Sequence, residues 1–477
     1  MNTFATDTKI PDWMGTLARQ YSEQRHKYPD EKLLIMFDID GTILDTRYMI
    51  LHVLRLYDQT TGSRHFVELG VDDISFNENQ VDQQLQALGI PESEHALIME
   101  YYLQKRWSRE AILESHRPFG GVLEVIRWFQ LQPNTDVGLN TGRSEEIRAD
   151  TLRSLNELGR EYRVEFPDEL LYMNQIGWDQ EVENAKAAGL TYFIGMGFRV
   201  IAFIDNEPQN LAAIAGVDGS EDILLLHAQT LFETSRKYIP DGTVGGQGYA
   251  LAQFITESTV PRHIQFVWHA GRNLAQLDHF LSSNISWIEL DVRHDPRTGE
   301  VIIRHRDLEE RPIESGEQVW PLEPTLKALH GAQKRVKFDI KEGGDFLDRL
   351  LVMLEQIRFE DEDLWFNGNI ERLQESGFRR LHEHYPYATL QCPVDFLAPV
   401  ILGVPDQGRA FLNLLAGWGV DRFSINWHTL NKRQVINQLD EWGLPVNIFH
   451  TPNLESFLKA ALLQPRSVSS KFGLPHW

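Results

Sequence analysis

The stretch LLIMFDIDGTILDT (33–46) decides how the first half of the chain is read. Five apolar residues, Leu33 to Phe37, end abruptly in Asp38 and Asp40. An unbroken apolar run of this length fits a strand covered on both faces, and its acidic end marks the carboxyl edge. In an extended chain residues i and i+2 point to one side, so Asp38 and Asp40 can face one ligand. A solvated turn is the alternative for an isolated Asp-x-Asp. The apolar run ahead of the pair and Gly41-Thr42 behind it are harder to reconcile with a turn.

Two further apolar runs end the same way. DVGLN (136–140) runs into Thr141-Gly142-Arg143, which places a hydroxyl and backbone N–H groups at a strand-to-helix junction suited to an anion. RVIAFID (199–205) ends in Asp205, followed by Asn206 and Glu207. Lys186 is the only lysine between Thr141 and Asp205. Helical stretches separate these runs, which predicts a parallel, doubly wound sheet. Ligands of such sheets bind outside the carboxyl ends of the strands, where Asp38, Thr141 and Asp205 would meet.

The rest of the chain is organised around this unit. Residues 1–30 are polar and read as a loose arm or an accessory helix. From 46 to 115 the pattern is helical, as in YMILHVLRLYDQTTG and SEHALIMEYYLQKRWSREAILESH. The first domain is expected over 31–228 and a linker over 229–261. The linker contains PDGTVGGQG (240–248), a glycine cluster without the Lys-Ser/Thr of a phosphate loop. Over 262–477 short strand candidates recur: HIQFVWHA, SWIELDVR, EVIIRH, RVKFDI, DLWFNG, TLQCPVDFL, DRFSIN, PVNIFH and SVSSKF. Helical segments separate most of them, and about 215 residues of this alternation favour a (β/α)₈ barrel.

Composition bounds the function. Among 477 residues 42% are hydrophobic and 24% charged, so large cores can form and wholesale disorder is excluded. Acidic residues exceed basic ones, 69 against 46, and the formal charge of −23 argues against general nucleic-acid or anionic-membrane binding. Phosphate can still be handled if bound cations invert the local field. With Cys392 as the only cysteine there is no intramolecular disulfide. MNTFATDTKIPDWMG has no signal-peptide pattern and no run approaches 18 apolar residues, so a cytoplasmic protein is expected.

FDIDGTILDT, LNTGR, Lys186 and FIDNEPQN, in this order, resemble the four motifs of the haloacid dehalogenase (HAD) superfamily, mostly Mg²⁺-dependent phosphatases. The resemblance covers about 30–228. It implies that Asp38 is a nucleophile forming an aspartyl-phosphate and that Asp40 is the acid and then the base. Thr141 and Gly142 would bind the phosphoryl group, and Lys186 would neutralise its charge. Mg²⁺ would be held by Asp38, the Asp40 carbonyl and Asp205. Asn206 departs from the superfamily, where many members have a second acid, and leaves Glu207 or Asn210 as helpers. The helical 46–115 occupies the place of a cap that closes over the site. The aromatic residues Tyr101, Tyr102 and Trp107 in it could pack the cap or touch substrate, and packing is the more common role.

The second half places Glu289 and Asp291 at i and i+2 of SWIELDVR, and Asp339 and Lys341 at i and i+2 of RVKFDIK. His269 and His305 stand at the ends of HIQFVWHA and EVIIRH. Barrel interiors are usually apolar, so three acids on successive strands need a partner, and a divalent cation is the simplest one. The order His, Glu-x-Asp, His, acid-x-Lys, with PLEPTLKALHG before the last pair, resembles the glycerophosphodiester phosphodiesterases and related phospholipase C-like barrels. That resemblance implies a divalent metal, Mg²⁺ or Ca²⁺, on Glu289, Asp291 and Asp339. It makes His269 and His305 the acid and base at a phosphodiester. The sequence departs from the family at His269-Ala270-Gly271-Arg272, where His-Arg-Gly is usual; Arg272 or Lys341 would grip phosphate instead. Arg306 intervenes before Asp307, and Asp339 stands where Glu is common. The whole chain then reads as a two-domain hydrolase of small-molecule phosphate esters. The alternative is that the first domain alone is catalytic and the barrel binds or regulates.

Overall fold

Leu33 to Phe37 lie in β1 (Lys32–Phe37) and all five are fully buried, as a strand covered on both faces requires. The computed structural model describes residues 12–177, 181–217, 219–230, 239–255, 264–269, 277–306, 310–314, 316–317 and 319–472. The chain divides into two units, Met1–Phe254 and Ile255–Trp477.

In the first unit β1 belongs to a six-stranded parallel sheet with β2 (Thr135–Ser144), β3 (Leu171–Asn174), β4 (Phe198–Asp205), β5 (Leu224–Ala228) and β6 (Val244–Gly246). The order is β3-β2-β1-β4-β5-β6. The chain moves outward from β1 through β2 and β3, then crosses to β4 on the other side. That reversal opens a crevice at the carboxyl end of β1. One detail decides between two sequence readings and two others correct them. Of the loose arm and the accessory helix expected in 1–30, the described part forms the helix α1 (Trp13–Lys27), capped by the Asp12 carboxylate on Gly15 N–H at 3.0 Å. The expected linker 229–261 is shorter, because β6 pairs with β5, and Tyr249 and Phe254 are buried in the first unit. β2 runs on through Ser144, so Thr141-Gly142-Arg143 ends a strand and lies before, not at, the helix start.

The helical stretch becomes α2 (Arg47–Thr61), α3 (Val81–Ala87), α4 (Glu92–Lys105) and α5 (Arg109–Ser115). They share their own core, with Ile50, Val53, Phe66, Leu85, Ile98 and Tyr102 fully buried. These helices fill the stretch 46–115, where a helical cap is expected. The chain enters and leaves it side by side: Leu44 bridges Pro118, Asp45 N–H donates to Arg117 O and Phe119 N–H donates to Ile43 O, both at 2.9 Å. Helices α6 (Val122–Gln130), α7 (Arg148–Gly159), α8 (Val182–Gly195) and α9 (Pro208–Ala215) complete the unit. Leu190 and Phe193 of α8 pack on Leu34, Met36 and Phe203. Lys186 precedes Leu190 by one turn, so its stem is drawn onto the same face, toward the sheet.

The second unit closes a barrel of eight parallel strands. These are β7 (Gln265–His269), β8 (Trp287–His294), β11 (Arg335–Ile340), β12 (Leu364–Asn367), β13 (Thr389–Pro393), β14 (Arg422–Asn426), β15 (Val446–Thr451) and β16 (Ser467–Ser470). β16 pairs with β7 and β7 with β8, which shuts the ring. EVIIRH is not a barrel strand. It forms β9 (Val301–Ile303), antiparallel to β8, with β10 (Trp320–Pro321) beyond it. Residues 295–300 alone separate β8 from β9, too few for the crossover a parallel neighbour needs. Among the described residues no helix is long and apolar enough to cross a membrane.

Candidate active sites

In the first unit β1, β2 and β4 deliver their polar ends to one place. Lys186 is fully buried and its Nζ lies 2.5 Å from Asp38 Oδ1, 2.9 Å from Asp205 Oδ2 and 2.6 Å from Asn140 O. Burial pushes the Asp38 carboxyl well above the usual carboxylate range, and Asp205 and Asp40 push it further, against the pull of Lys186. Burial alone would weaken the Lys186 ammonium, but Asp205 and Asp38 outweigh it and hold the charge. Asp205 accepts from Glu207 N–H at 2.8 Å and from Asn210 Nδ2 at 3.1 Å. Glu207 is pushed up to about 7 by burial, then by Asp205 and Glu78.

Asp40 faces the same space from the turn after β1. Gly41 adopts φ 75°, and a Cβ there would meet Asn206 at 2.5 Å, so this turn needs glycine. Tyr249 OH donates to Thr42 O at 2.8 Å, and Thr230 OH donates to Gly41 O. Arg143 donates to both Asp40 oxygens, from Nε and Nη2, each at 2.7 Å. Behind it His116 Nε2 is 3.1 Å from Arg143 Nη2, and burial, then Arg143, holds this ring well below the usual imidazole range. An unprotonated Nε2 can therefore accept from Arg143.

Asp38, Asp40, Thr141, Gly142 and Lys186 line a cavity of about 260 Å³, with Asp205 fully buried just behind. The sequence reading thus brings its first set together. It missed Arg143, which its own LNTGR stretch contained, and Glu78 and Asn79, which the cap contributes. Arg106 Nη1 fixes that loop by donating to Glu78 O at 3.1 Å and Asn79 Oδ1 at 2.8 Å. All three cap aromatics pack the cap core, and Trp107 also lines the cavity under the Arg143 guanidinium, 4.9 Å away.

In the barrel, strand register stacks the polar residues. His269 is level with Glu289, Glu289 with Lys337, Asp291 with Asp339, Asp339 with Asn367, and Asn367 with Gln391. His269 Nε2 lies 3.2 Å from Asp291 Oδ2. Burial opposes the His269 imidazolium, yet Glu289, Asp291 and Asp339 together raise it above the usual value. Lys341 Nζ is 3.1 Å from Asp291 Oδ1 and also contacts Asp339, while Lys337 Nζ is 3.1 Å from Glu289 Oε2. Burial pushes Asp339 up to about 6 despite Lys341, with Asp291 and Glu289 adding to it. Asn367 Nδ2 donates to Asp339 Oδ1 at 3.0 Å, and Gln391 Nε2 to Asn367 Oδ1 at 2.6 Å.

His269, Glu289, His305, Asp339 and Lys341 line one cavity of about 750 Å³, and Asp291 is buried beneath it. Arg272 and Asp307 lie outside the described residues. His305 follows a hairpin strand, not a barrel strand, but reaches the cavity all the same. Sequence reading missed Asn367, Gln391 and His450; the polar ends of LWFN and TLQC were the signal for the first two.

Both donor sets fit a hard divalent cation. Asp38, Asp40 and Asp205 gather three carboxylates around the Lys186 ammonium, and after burial it is Asp205 and Asp40 that push the Asp38 carboxyl up. In the barrel, Glu289 Oε2 and Asp291 Oδ1 are buried and accept no well-directed hydrogen bond.

No family model and no curated protein sequence matches this chain. It is similar to solved structures of two kinds, glycerophosphodiester phosphodiesterases and HAD family hydrolases. An Oleispira antarctica phosphodiesterase in complex with sn-glycerol-3-phosphate is 16% identical, covering 45% of this chain and 94% of its own, with a TM-score of 0.35. A glycerophosphodiester phosphodiesterase from Agrobacterium tumefaciens is 14% identical over 43% of this chain and 96% of its own, with a TM-score of 0.31. A HAD family hydrolase from Deinococcus radiodurans, with bound phosphate and sodium, is 14% identical over 42% and 81%, with a TM-score of 0.29. At these values the likeness stands beside the geometry and adds no weight to it.

Proposed function

We propose that the chain is a two-domain phosphoric ester hydrolase: a phosphomonoesterase in the first unit and a phosphodiesterase in the barrel. The observation that carries the reading is the pairing of Asp38, fixed by Lys186, with Asp40, fixed by Arg143, at the open end of the sheet. Asp38 attacks the phosphorus of a monoester while Asp40 gives a proton to the departing alcohol oxygen. Thr141 and Gly142 receive the phosphoryl oxygens. Water then attacks the aspartyl-phosphate, Asp40 takes its proton, and inorganic phosphate leaves Asp38 as a carboxylate. Asp38, the Asp40 carbonyl and Asp205 would hold Mg²⁺, which offsets the repulsion between carboxylate and phosphate. Cap residues Glu78, Asn79 and Trp107 would meet the leaving group.

In the barrel, His269, oriented by Asp291 at 3.2 Å, is the proton donor to the leaving oxygen. His305 takes the proton of the attacking hydroxyl or water, and Lys341 grips the phosphoryl oxygens. Glu289, Asp291 and Asp339 would hold a divalent cation that draws charge from those oxygens. A diesterase leaves the monoester that a monoesterase consumes, so the two sites suit successive cleavage of one small diester, for example a glycerophosphodiester. The test is a coupled assay with a glycerophosphodiester and Mg²⁺, Mn²⁺ or Ca²⁺. Wild type should release inorganic phosphate, His269→Ala nothing, and Asp38→Asn should accumulate the monoester. Phosphate release by Asp38→Asn at the wild-type rate sinks the tandem reading. No diester cleavage at all leaves the barrel a binding module.

A further inference from the structure

The cap carries a group of side chains that the phosphate chemistry does not use. His52 stands on α2, and Glu110 and Glu114 stand on α5, one turn apart, so both carboxylates leave one face of that helix. α2 packs against α5. One ligand atom from each of the three lies within 4.8 Å of the others, and among the described residues no other three histidine, cysteine or acidic side chains are gathered so closely. The His52 Nε2 is shut off from solvent and has no hydrogen-bond partner. Leaving such a group unsatisfied costs about 1–3 kcal/mol, and the two carboxylates beside it repel each other. A cation held by the imidazole and sitting between the carboxylates offsets that repulsion, and one bound through Nε2 also satisfies that nitrogen.

These residues border a cavity of about 460 Å³, whose wall also includes Arg55 and Arg117. Both guanidinium groups are engaged with carbonyl oxygens: Arg55 with Leu69 O at 2.6 Å, and Arg117 with His116 O at 2.7 Å and Glu114 O at 3.3 Å. The glutamate carboxylates are exposed, so their rotamers can adjust. Bonds of about 2.0–2.2 Å to a tetrahedral ion put ligand atoms about 3.4 Å apart, which asks for up to about 1.4 Å of closure.

We propose that His52, Glu110 and Glu114 form a divalent cation site of the zinc class that ties the first helix of the cap to its last. One imidazole with two carboxylates suits Zn²⁺ or Co²⁺, whereas Mg²⁺ and Ca²⁺ take oxygen donors. Three protein ligands leave a fourth position for water, for which the cavity has room. The site lies where the chain passes between cap and sheet. α2 begins just after Asp45, and α5 ends just before His116, which touches the Arg143 that holds Asp40. The bound ion would stiffen that crossing.

The full-length protein, stripped with a chelator and returned to excess Mg²⁺ to fill the oxygen-only sites, is dialysed against Zn²⁺, and bound zinc is counted. Wild type should retain one more zinc equivalent than His52→Ala and than the Glu110→Gln/Glu114→Gln double variant. Co²⁺ in its place should show visible bands in wild type that both variants lose. Zn²⁺ should raise the melting temperature of the wild type more than that of either variant. If His52→Ala fails to fold by circular dichroism, the double variant at exposed positions decides alone. Equal zinc counts in wild type and the double variant, or no retained zinc in wild type, overturn the proposal.

Discussion

Replacing Lys186 by methionine shortens the unbranched side chain by one atom and removes one buried charge from a cluster of three. In the wild type the ammonium lies 2.5 Å from Asp38 and 2.9 Å from Asp205, and Lys186 and Asp205 are at 1% and 0% exposure. Breaking a buried pair by removing one partner leaves uncompensated charge and costs about 3–5 kcal/mol. In a unit of this size that lowers the melting temperature by about 6–20 °C. Asp38 is already held above its ordinary value, and without Lys186 it rises further. The sign follows: an acid with a raised folded-state value favours the protonated form, so the penalty is full at alkaline pH and shrinks as the pH falls. Mg²⁺ at a hundredfold over its dissociation constant should restore about 2.7 kcal/mol of stability without restoring turnover. The assay is calorimetric melting at about pH 5 and about pH 8, with Mg²⁺ or chelator, beside monoester hydrolysis. A Lys186→Met protein that melts within a degree or two of wild type at both pH values refutes the argument that this lysine neutralises the buried pair.

Asp40→Asn should lower monoester turnover by about 10²–10⁴, and Arg143→Lys, which keeps the charge but loses the two-pronged grip, by about 10²; a loss under threefold in steady-state rates removes these roles. Glu207, at about 7 against an ordinary 4.5, makes the metal-free first unit less stable as pH rises through that interval. Glu207→Gln should flatten the profile by about 3 kcal/mol, and parallel urea profiles for the two proteins would contradict it. In the metal-free barrel Glu289, Asp291 and Asp339 raise His269, so with chelator present its imidazole should titrate above the ordinary 6.5; a proton NMR titration centred below that value contradicts this.

The first site was readable in the sequence because its residues sit at the ends of long apolar runs. LLIMF, VGLN and VIAFI announce strands, and Asp38, Thr141 and Asp205 follow directly. Lys186 needed no more than its isolation. What the sequence hid are contacts between distant segments. Arg143 meets Asp40 across 103 positions, and Glu78 enters from a loop whose aim depends on Arg106 and Tyr102. In the barrel, i, i+2 spacing placed Glu289 with Asp291 and Asp339 with Lys341, but the pairing of Lys337 with Glu289 and of Lys341 with Asp291 emerges only from register. The strands β3, β5 and β6 escaped because they are short, and β6 is mostly glycine, which carries no periodicity. EVIIRH had the composition of a barrel strand; its distance from β8 was the clue to a hairpin.

The segment after Ala228 bears on how these units could be transplanted. Thr230 and Tyr249 hold the carbonyls of Gly41 and Thr42, and Trp13 rests on Gly246 while its Nε1 donates to Gly248 O at 2.8 Å. A piece cut at Ala228, where the alternation of strand and helix fades, would keep every motif residue and lose both hydroxyl ties on the turn that aims Asp40. It would resemble a working enzyme in an alignment and turn over slowly in a cuvette. A swap of this unit between proteins should therefore carry the chain through Phe254, and the shuffling of such units by recombination would meet the same boundary.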